Sequence, residues 1–315
     1  MPTVSFIVPF KNGKKYIRNC IDNLKKQKYH DFEIILIDDS SIDNSEKELI
    51  EYREDKNIKY YYLEDNTIGV GKARNYGVDK ANGKYIVFID VDDYIEEDLL
   101  LKLHLFLERN IDLIKYKMRI INGEKISKEE GPTFDIVTGE DAFNRLCFND
   151  NFFDSPCLYA IKKEYFKNSG LKFEENMYHE DFGTIPLLIA NAKNVVSTDV
   201  FGYRYMQTNN SIMRDKDYSK TLIKVKNKFE HYTNMIKIVK AMNLKKKTEE
   251  NVREYYTNSV IMSLKNLKKK DRIFFEDKIK QMQMFDNFKV NNLKKLIKKT
   301  VLKNNIELYL KLKGI

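Results

Sequence analysis

Short apolar runs that end in polar clusters alternate, over the first hundred residues, with segments whose apolar positions recur every three or four residues. Thr3-Val4-Ser5-Phe6-Ile7-Val8 reads as a strand, closed by Pro9-Phe10-Lys11-Asn12-Gly13. Tyr16, Ile17, Cys20, Ile21 and Leu24 then keep helical spacing. Phe32–Ile37 is a second strand ending in Asp38-Asp39-Ser40-Ser41, and a helix is predicted around Ser45–Arg53. Lys59–Leu63 is a third strand. A glycine-bearing turn and a helix over Gly69–Ala81 lead to a fourth, Lys84–Ile89, which ends at Asp90. Strands alternating with helices at this spacing predict βαβ units and a parallel sheet with right-handed crossovers.

Beyond Asp93 the pattern loosens. Residues 94–215 hold a helix over Leu99–Leu107, a less regular middle and a short strand near Asn194-Val195-Val196. From 217 onward the pattern is helical. Near the end Val290, Leu293, Leu296, Ile297 and Val301 mark one face, flanked by Lys294, Lys295, Lys298, Lys299 and Lys303. Such a basic amphipathic helix suits a membrane interface, and it equally suits an apolar patch of its own domain.

Charge sharpens that division. The net charge is +9 over 315 residues, yet residues 216–315 carry 26 Lys and Arg against 10 Asp and Glu, leaving 30 against 37 in the rest. An acidic front with a basic tail predicts an anionic partner for the tail: lipid headgroups, a phosphate-bearing polymer or nucleic acid. A solvated lysine-rich surface is the plainer alternative. The hydrophobic share of 42%, with 19 Phe and 20 Tyr, is enough for a substantial core. No 18-residue apolar stretch predicts a membrane span. The strand pattern beginning at Thr3 leaves no room for a signal peptide. Cys20, Cys147 and Cys157 lack metal-ligand spacing and read as buried or incidental thiols of a reducing cytosol.

The candidate chemistry lies where strands end, the edge at which open α/β sheets bind ligands. Asp90-Val91-Asp92-Asp93 crowds carboxylates at the end of an apolar strand. Such crowding suits a hard cation, Mg²⁺ or Mn²⁺, whose shell is commonly completed by substrate phosphates. That predicts a phosphorylated donor. Three other features fall at comparable places: Pro9-Phe10-Lys11-Asn12, Asp38-Asp39-Ser40-Ser41 and Gly71-Lys72-Ala73-Arg74-Asn75. Singly, Asp38, Asp39, Ser40 and Ser41 would serve as a helix N-cap cluster, and Arg74 as a surface ion-pair residue. Their convergence on one sheet edge is what those readings leave unexplained.

Together these residues make the chain resemble the family 2 glycosyltransferases, nucleotide-sugar-dependent enzymes of the GT-A fold. The resemblance rests on Val4–Asn12, Ile37–Asp43, Gly71–Gly77 and Phe88–Asp93; it is dense over residues 3–98. It resumes at His179-Glu180-Asp181 and continues through Tyr203-Arg204-Tyr205 and Asn210-Ser211-Ile212; residues after 216 lie outside it. It implies an α/β, Rossmann-like, mainly parallel sheet flanked by helices over residues 1–215, with a basic helical extension over 216–315.

The resemblance also implies roles. Pro9 and Phe10 would line the base pocket beside Asn12, and Asp39 would accept a hydrogen bond from the uracil N–H of a UDP-sugar. Position 10 is usually tyrosine in the family, so the hydroxyl is lost here. Arg74 would approach the base or the diphosphate, Asp90 the ribose or a metal-bound water, and Asp92 the metal. Asp181 would be the general base of inverting transfer, with Glu180 in an acceptor-binding or supporting role. Arg204, Gln207, Ser211 and Arg214 would belong to a polar, loop-like lid over the diphosphate. Gln207 stands where many relatives carry histidine.

The implied acceptor is a cell-surface glycan, either lipid-linked or an anionic polymer such as teichoic acid. The implied setting is cytoplasmic, at the inner face of the membrane, with no nucleic acid expected and self-pairing through the C-terminal helices left open. Two readings compete: a nucleotidyltransferase, for which Pro9–Gly13 is a poor phosphate loop, and a non-catalytic nucleic-acid- or membrane-binding scaffold, against which Asp92 and Asp181 argue.

Overall fold

A computed structural model describes residues 1–64, 69–129, 131–149, 153–207, 217–290 and 293–312. The chain divides into two compact units, Met1–Arg214 and Asp215–Ile315.

In the first unit the chain runs β1 (Val4–Phe10), α1 (Ile17–Lys25), β2 (Phe32–Asp39), β3 (Ile58–Leu63), α2 (Gly71–Lys80), β4 (Tyr85–Phe88) and β5 (Tyr94–Ile95). It continues through α3 (Leu99–Glu108), β6 (Leu113–Asn122), β7 (Lys125–Lys128), β8 (Phe134–Val137), α4 (Gly139–Leu146) and β9 (Tyr159–Lys162). Last come α5 (Lys163–Asn168), α6 (Glu180–Asn191) and β10 (Val195–Met206). The helix predicted around Ser45 is a 3₁₀ segment, Ser45–Tyr52. The short strand predicted near residue 194 is the start of the twelve-residue β10.

The strands form one sheet in the order β3-β2-β1-β4-β9-β6-β10-β5, with β7 on β6 and β8 on β10. The pairs β2–β3, β1–β2 and β1–β4 are parallel. Every residue of β1, β2 and β4 is buried, which is why these strands read as mainly apolar runs rather than alternating ones. Past β4 the sheet is mixed: β9 pairs antiparallel with both β4 and β6, and β10 runs parallel to β6. An all-parallel run thus holds for the sheet's first half, and the second half combines the antiparallel β9 with the parallel β6–β10 pair. The apolar runs of β6 and β9 show burial but not direction, because period-2 patterning is the same for both orientations.

That topology positions the site. Two successive antiparallel steps across β9 restore the direction of β4, so β6 and β10 point the same way as β1, β2 and β4. The C-terminal ends of β1, β2, β4 and β10 therefore share one edge, bringing Phe10, Asp39, Asp90 and Met206 to the same side of the sheet.

The second unit consists of α7 (Tyr218–Ala241), α8 (Lys246–Ser263), α9 (Lys269–Gln281), α10 (Leu293–Asn304) and α11 (Ile306–Leu312). Phe229, Tyr232, Met235, Tyr256, Val260, Phe275 and Ile279 form its core, with Phe229 stacked on Phe275 at 5.3 Å. On α10, Leu293, Leu296 and Ile297 are exposed, whereas Leu302 is buried. Part of the flanking lysine set is engaged internally: Lys298 donates to Asn258 (2.9 Å) and Lys303 to Asp286 (3.2 Å). Among the described residues no helix is long and apolar enough to cross a membrane.

Candidate active site

The loops after β1 and β2 are clasped together. The Asn12 amide donates to Ser41 Oγ (2.8 Å), the Ile42 amide donates to Asn12 Oδ1 (2.9 Å), and the Lys14 amide donates to Asp43 Oδ2 (3.0 Å). Asn12 and Ser40 hold left-handed backbone conformations (φ 56° and 61°), which tighten both turns. Asp38 is a structural member of this clasp. It accepts from the Ser41 amide (2.8 Å) and from the Tyr60 hydroxyl (3.1 Å). Asp39 is buried at the tip of β2. Pro9 is buried as well, beyond the point where β4 stops pairing with β1 at Ile7. Phe10, expected to line the base pocket, is 3% exposed and packed against Gly13. Without the usual hydroxyl it has no polar atom to keep it at the surface.

Arg74 is the hub of the site, not the surface residue its charge would suggest. Its guanidinium ion-pairs with Glu180 and donates from Nη2 to Asp90 Oδ1 (3.1 Å). Phe88 and Phe173 flank it, with ring centroids at 6.0 and 5.6 Å. Burial alone would depress the guanidinium's pKa. The charges of Glu180, Asp90 and Asp181 more than offset that, so it stays cationic. Burial pushes the Glu180 carboxyl up to about 7; Arg74 pulls the other way and the Asp181 charge adds to the rise. Glu180 is buried, in contact with protein rather than with solvent.

The glycines before Arg74 make this approach fit. A Cβ on Gly69 (φ +80°) would lie 2.2 Å from the Met177 carbonyl oxygen, and one on Gly71 2.2 Å from that of Glu174. The turn thus runs directly against the segment leading into α6. His179 precedes that helix in a left-handed conformation (φ 63°), so Glu180 and Asp181 occupy its first turn, where the helix dipole favours negative charge. Asp181 is partly exposed beside its buried neighbour, with Oδ1 accepting from the Phe182 amide (2.7 Å).

The third acid of the β4 loop carries a role that sequence reasoning missed. Asp93 is buried; Tyr203 donates its hydroxyl to Asp93 Oδ2 (2.6 Å) and the Met206 amide donates to Oδ1 (2.7 Å). The Asp90 amide in turn donates to the Tyr203 hydroxyl (3.3 Å). Tyr203 thus ties both ends of the acidic loop to β10. Burial pushes the Asp93 carboxyl up to about 8, the charge of Asp90 adds to this, and the bonds from Tyr203 and Met206 oppose it. The only advance signal was that Tyr203 and the acidic run belong to the same resemblance. Cys157 and Cys20 lie buried near these acids; burial raises both thiols and the acids add to it, which favours the protonated form.

The lid residues divide. Arg204 lies within β10, not in a loop, and its Nε and Nη2 both donate to Glu96 (Nε to Oε1, 2.9 Å), so its charge is already matched. The Gln207 amide closes on the Ile121 carbonyl (2.8 Å) as an extension of the sheet. Ser211 and Arg214 lie outside the described residues. Asp92 is partly exposed between Asp90 and Asp93.

The profile of Glycosyl transferase family 2 matches residues 5–170, which include β1 to β4, the acidic loop and β9. Glycosyltransferase GlyG of Streptococcus pneumoniae is 28% identical over 240 residues, 70% of this chain and 77% of that protein. The poly(ribitol-phosphate) beta-N-acetylglucosaminyltransferase TarS of Staphylococcus aureus is 35% identical over 139 residues, which are 42% of this chain but only 24% of that longer protein. The fold matches residues 1–349 of TarS in complex with UDP-GlcNAc, with a TM-score of 0.66 at 22% identity over 91% of this chain and 80% of that one. It also matches the mannosyltransferase PcManGT of Pyrobaculum calidifontis, with a TM-score of 0.58 at 13% identity over 99% and 84%. With its parallel half-sheet and acidic strand ends inside the matched span, the chain belongs to glycosyl transferase family 2.

Proposed function

We propose that the protein transfers a sugar with inversion from a UDP-sugar to a hydroxyl group of an anionic cell-surface polymer, with Asp181 as general base. The observation that carries this reading is Arg74, which joins Glu180 at the start of α6 to Asp90 at the end of β4. Through it the acid expected to take a proton and the acids expected at the donor belong to one electrostatic unit.

The donor side follows from the strand-end loops. Asp39, buried at the tip of β2, is a carboxylate acceptor suited to the uracil N–H. The TarS structure contains UDP-GlcNAc, which supports a uridine donor. Asp90, Asp92 and Asp93 crowd one loop, and the rise of the Asp93 carboxyl reflects that crowding as well as burial. Among the described residues no three His, Cys, Asp or Glu side chains gather as a metal cluster. This donor set fits Mn²⁺ or Mg²⁺ held by Asp92 with diphosphate oxygens completing the shell. When bound, such an ion neutralises charge developing on the leaving diphosphate.

The chain's own residues supply the rest. The acceptor oxygen attacks the anomeric carbon as the bond to the diphosphate breaks with its electron pair, and Asp181 takes the hydroxyl proton. That requires a carboxylate at about 2.6–3.2 Å from the attacking oxygen. Glu180 and Arg74 act as positioning residues, fixing the first turn of α6. A phosphate-bearing acceptor is favoured by TarS and by the poly(ribitol-phosphate) beta-glucosyltransferase of Bacillus spizizenii, 34% identical over 148 residues. The exposed Leu293, Leu296 and Ile297 on α10 suit peripheral contact with the inner face of a membrane.

The test is Asp181→Asn, assayed for UDP release with UDP-sugars and for nucleotide binding by thermal shift with UDP, GDP, CDP and dTDP in Mn²⁺. Turnover is expected to fall by about 10²- to 10⁴-fold while a UDP-specific shift persists. Turnover within about threefold of the parent would remove Asp181 as the base. A shift with GDP in place of UDP would overturn the donor assignment.

A further inference from the structure

On the far half of the sheet, three cations gather over one aromatic ring. Lys117 and Arg119 stand on β6, Lys128 ends β7, and Phe201 lies on β10 opposite Lys117. The Phe201 ring centroid is 5.9 Å from Lys117 Nζ, 5.0 Å from the Arg119 guanidinium carbon and 5.4 Å from Lys128 Nζ. Phe201 is partly exposed and Lys128 is exposed. Among the described residues, the carboxylate paired with the group is Glu96, which bonds Arg119 and also Arg204, while the neighbouring Glu129 is buried against Lys115. Neither Lys117 nor Lys128 has an ion-pair partner among the described residues.

The clustering is physically unfavourable as it stands. Cations drawn to one ring face gain from its quadrupole but repel one another, and a single shared carboxylate does not balance them. The residues outside the basic tail carry more acids than bases, so this is a local concentration of positive charge against the trend of its own unit. It is also continuous with the candidate active site. Tyr203, two residues beyond Phe201, holds Asp93, and Glu96 lies three residues past Asp93.

We propose that Lys117, Arg119, Lys128 and Phe201 form a docking surface for an acceptor chain of polyol units linked by phosphodiesters. The cations meet successive phosphates, and the ring packs on the carbon backbone between them. A polyanion whose units bear hydroxyl groups satisfies both the charge of the patch and the needs of a transfer site beside it. A single-stranded nucleic acid would also meet the cations and stack on the ring, and a lipid surface would meet the cations and the exposed Ile126 on β7. The sugar-transfer site beside the patch favours the polyol phosphate, and the other two are outcomes of the test. The assignment rests on the reading of the site as a sugar-transfer centre.

The experiment uses the full chain, titrated with short poly(glycerol phosphate) at two salt concentrations, and Lys117→Gln/Lys128→Gln and Phe201→Leu beside it. Neutral dextran, hyaluronan, an RNA oligonucleotide and phosphatidylglycerol vesicles are run in parallel, and UDP binding is measured separately. The parent is expected to bind the polyol phosphate in a salt-dependent way. The double variant should bind about tenfold more weakly, with a log–log salt slope smaller by roughly one to two, and Phe201→Leu should weaken binding with the slope unchanged. UDP binding should be the same in all three. Equal chain binding by the double variant and the parent, no binding by the parent, or preference for RNA, vesicles or hyaluronan would each overturn the proposal. Chain binding without UDP binding would overturn the UDP-donor reading and leave the patch standing; UDP binding without chain binding would overturn the patch and leave that reading standing.

Discussion

Arg74 and Glu180, 106 positions apart, form an ion pair whose side chains are 6% and 9% exposed, and the same guanidinium reaches Asp90. A buried pair of this kind has little net effect on stability when intact and a large one when halved, because the surviving charge is left in a low-dielectric site. Both acids at the start of α6 depend on it.

Arg74→Met is therefore expected to destabilise the protein by about 3–5 kcal/mol, with sugar transfer lost as the first turn of α6 shifts. Adding Glu180→Leu removes the stranded carboxylate and should restore much of the stability without restoring activity. Urea denaturation of the two single variants and the double variant measures the coupling. A double variant as unstable as the sum of the singles would mean that the two side chains do not act as a pair.

Tyr203→Phe tests the tie between β10 and the acidic loop. Removing the hydroxyl strips Asp93 of one of its two donors and the Asp90 amide of its acceptor. Stability should fall by about 1–3 kcal/mol, and nucleotide binding should weaken because the loop carrying Asp90 and Asp92 loses its anchor. Calorimetric titration with UDP checks this. Unchanged affinity would show that the loop is held by the Met206 amide alone.

Acid sensitivity is expected from the opposite edge of the sheet. Burial pushes the Glu33 carboxyl up, but bonds from Lys59 (2.7 Å), Ser5 (2.6 Å) and Asn82 (2.6 Å from its amide) outweigh it and hold the group below the usual range. Because the folded value is depressed, the stabilisation is fully present above the unfolded value, about 4.5, and is lost as pH falls through the folded one. Glu33→Gln should melt lower than the parent at neutral pH. Its melting temperature should also fall less steeply between pH 5 and the acid limit, a window set by the values above. Parallel curves for the two proteins would show that Glu33 does not titrate with folding.

The chain alone determined the local elements and the nature of their ends. Mainly apolar runs at Val4–Val8 and Phe32–Ile37 suit strands covered on both faces, and the acids that end them mark the edge where chemistry gathers. The glycine-bearing turn before Arg74 was legible as a turn, whereas the helix that Glu180 and Asp181 open was not. What only the tertiary structure decided is who meets whom. The antiparallel insertion of β9, the burial of the Phe10 ring, the pairing of Arg74 with Glu180 and the capture of Asp93 by Tyr203 all join residues of different elements. Neither periodicity nor charge contains that information, since a buried arginine and an exposed one look the same along the chain. Three-dimensional packing brings the opposite charges together out of water, and there their interaction becomes strong enough to organise the site.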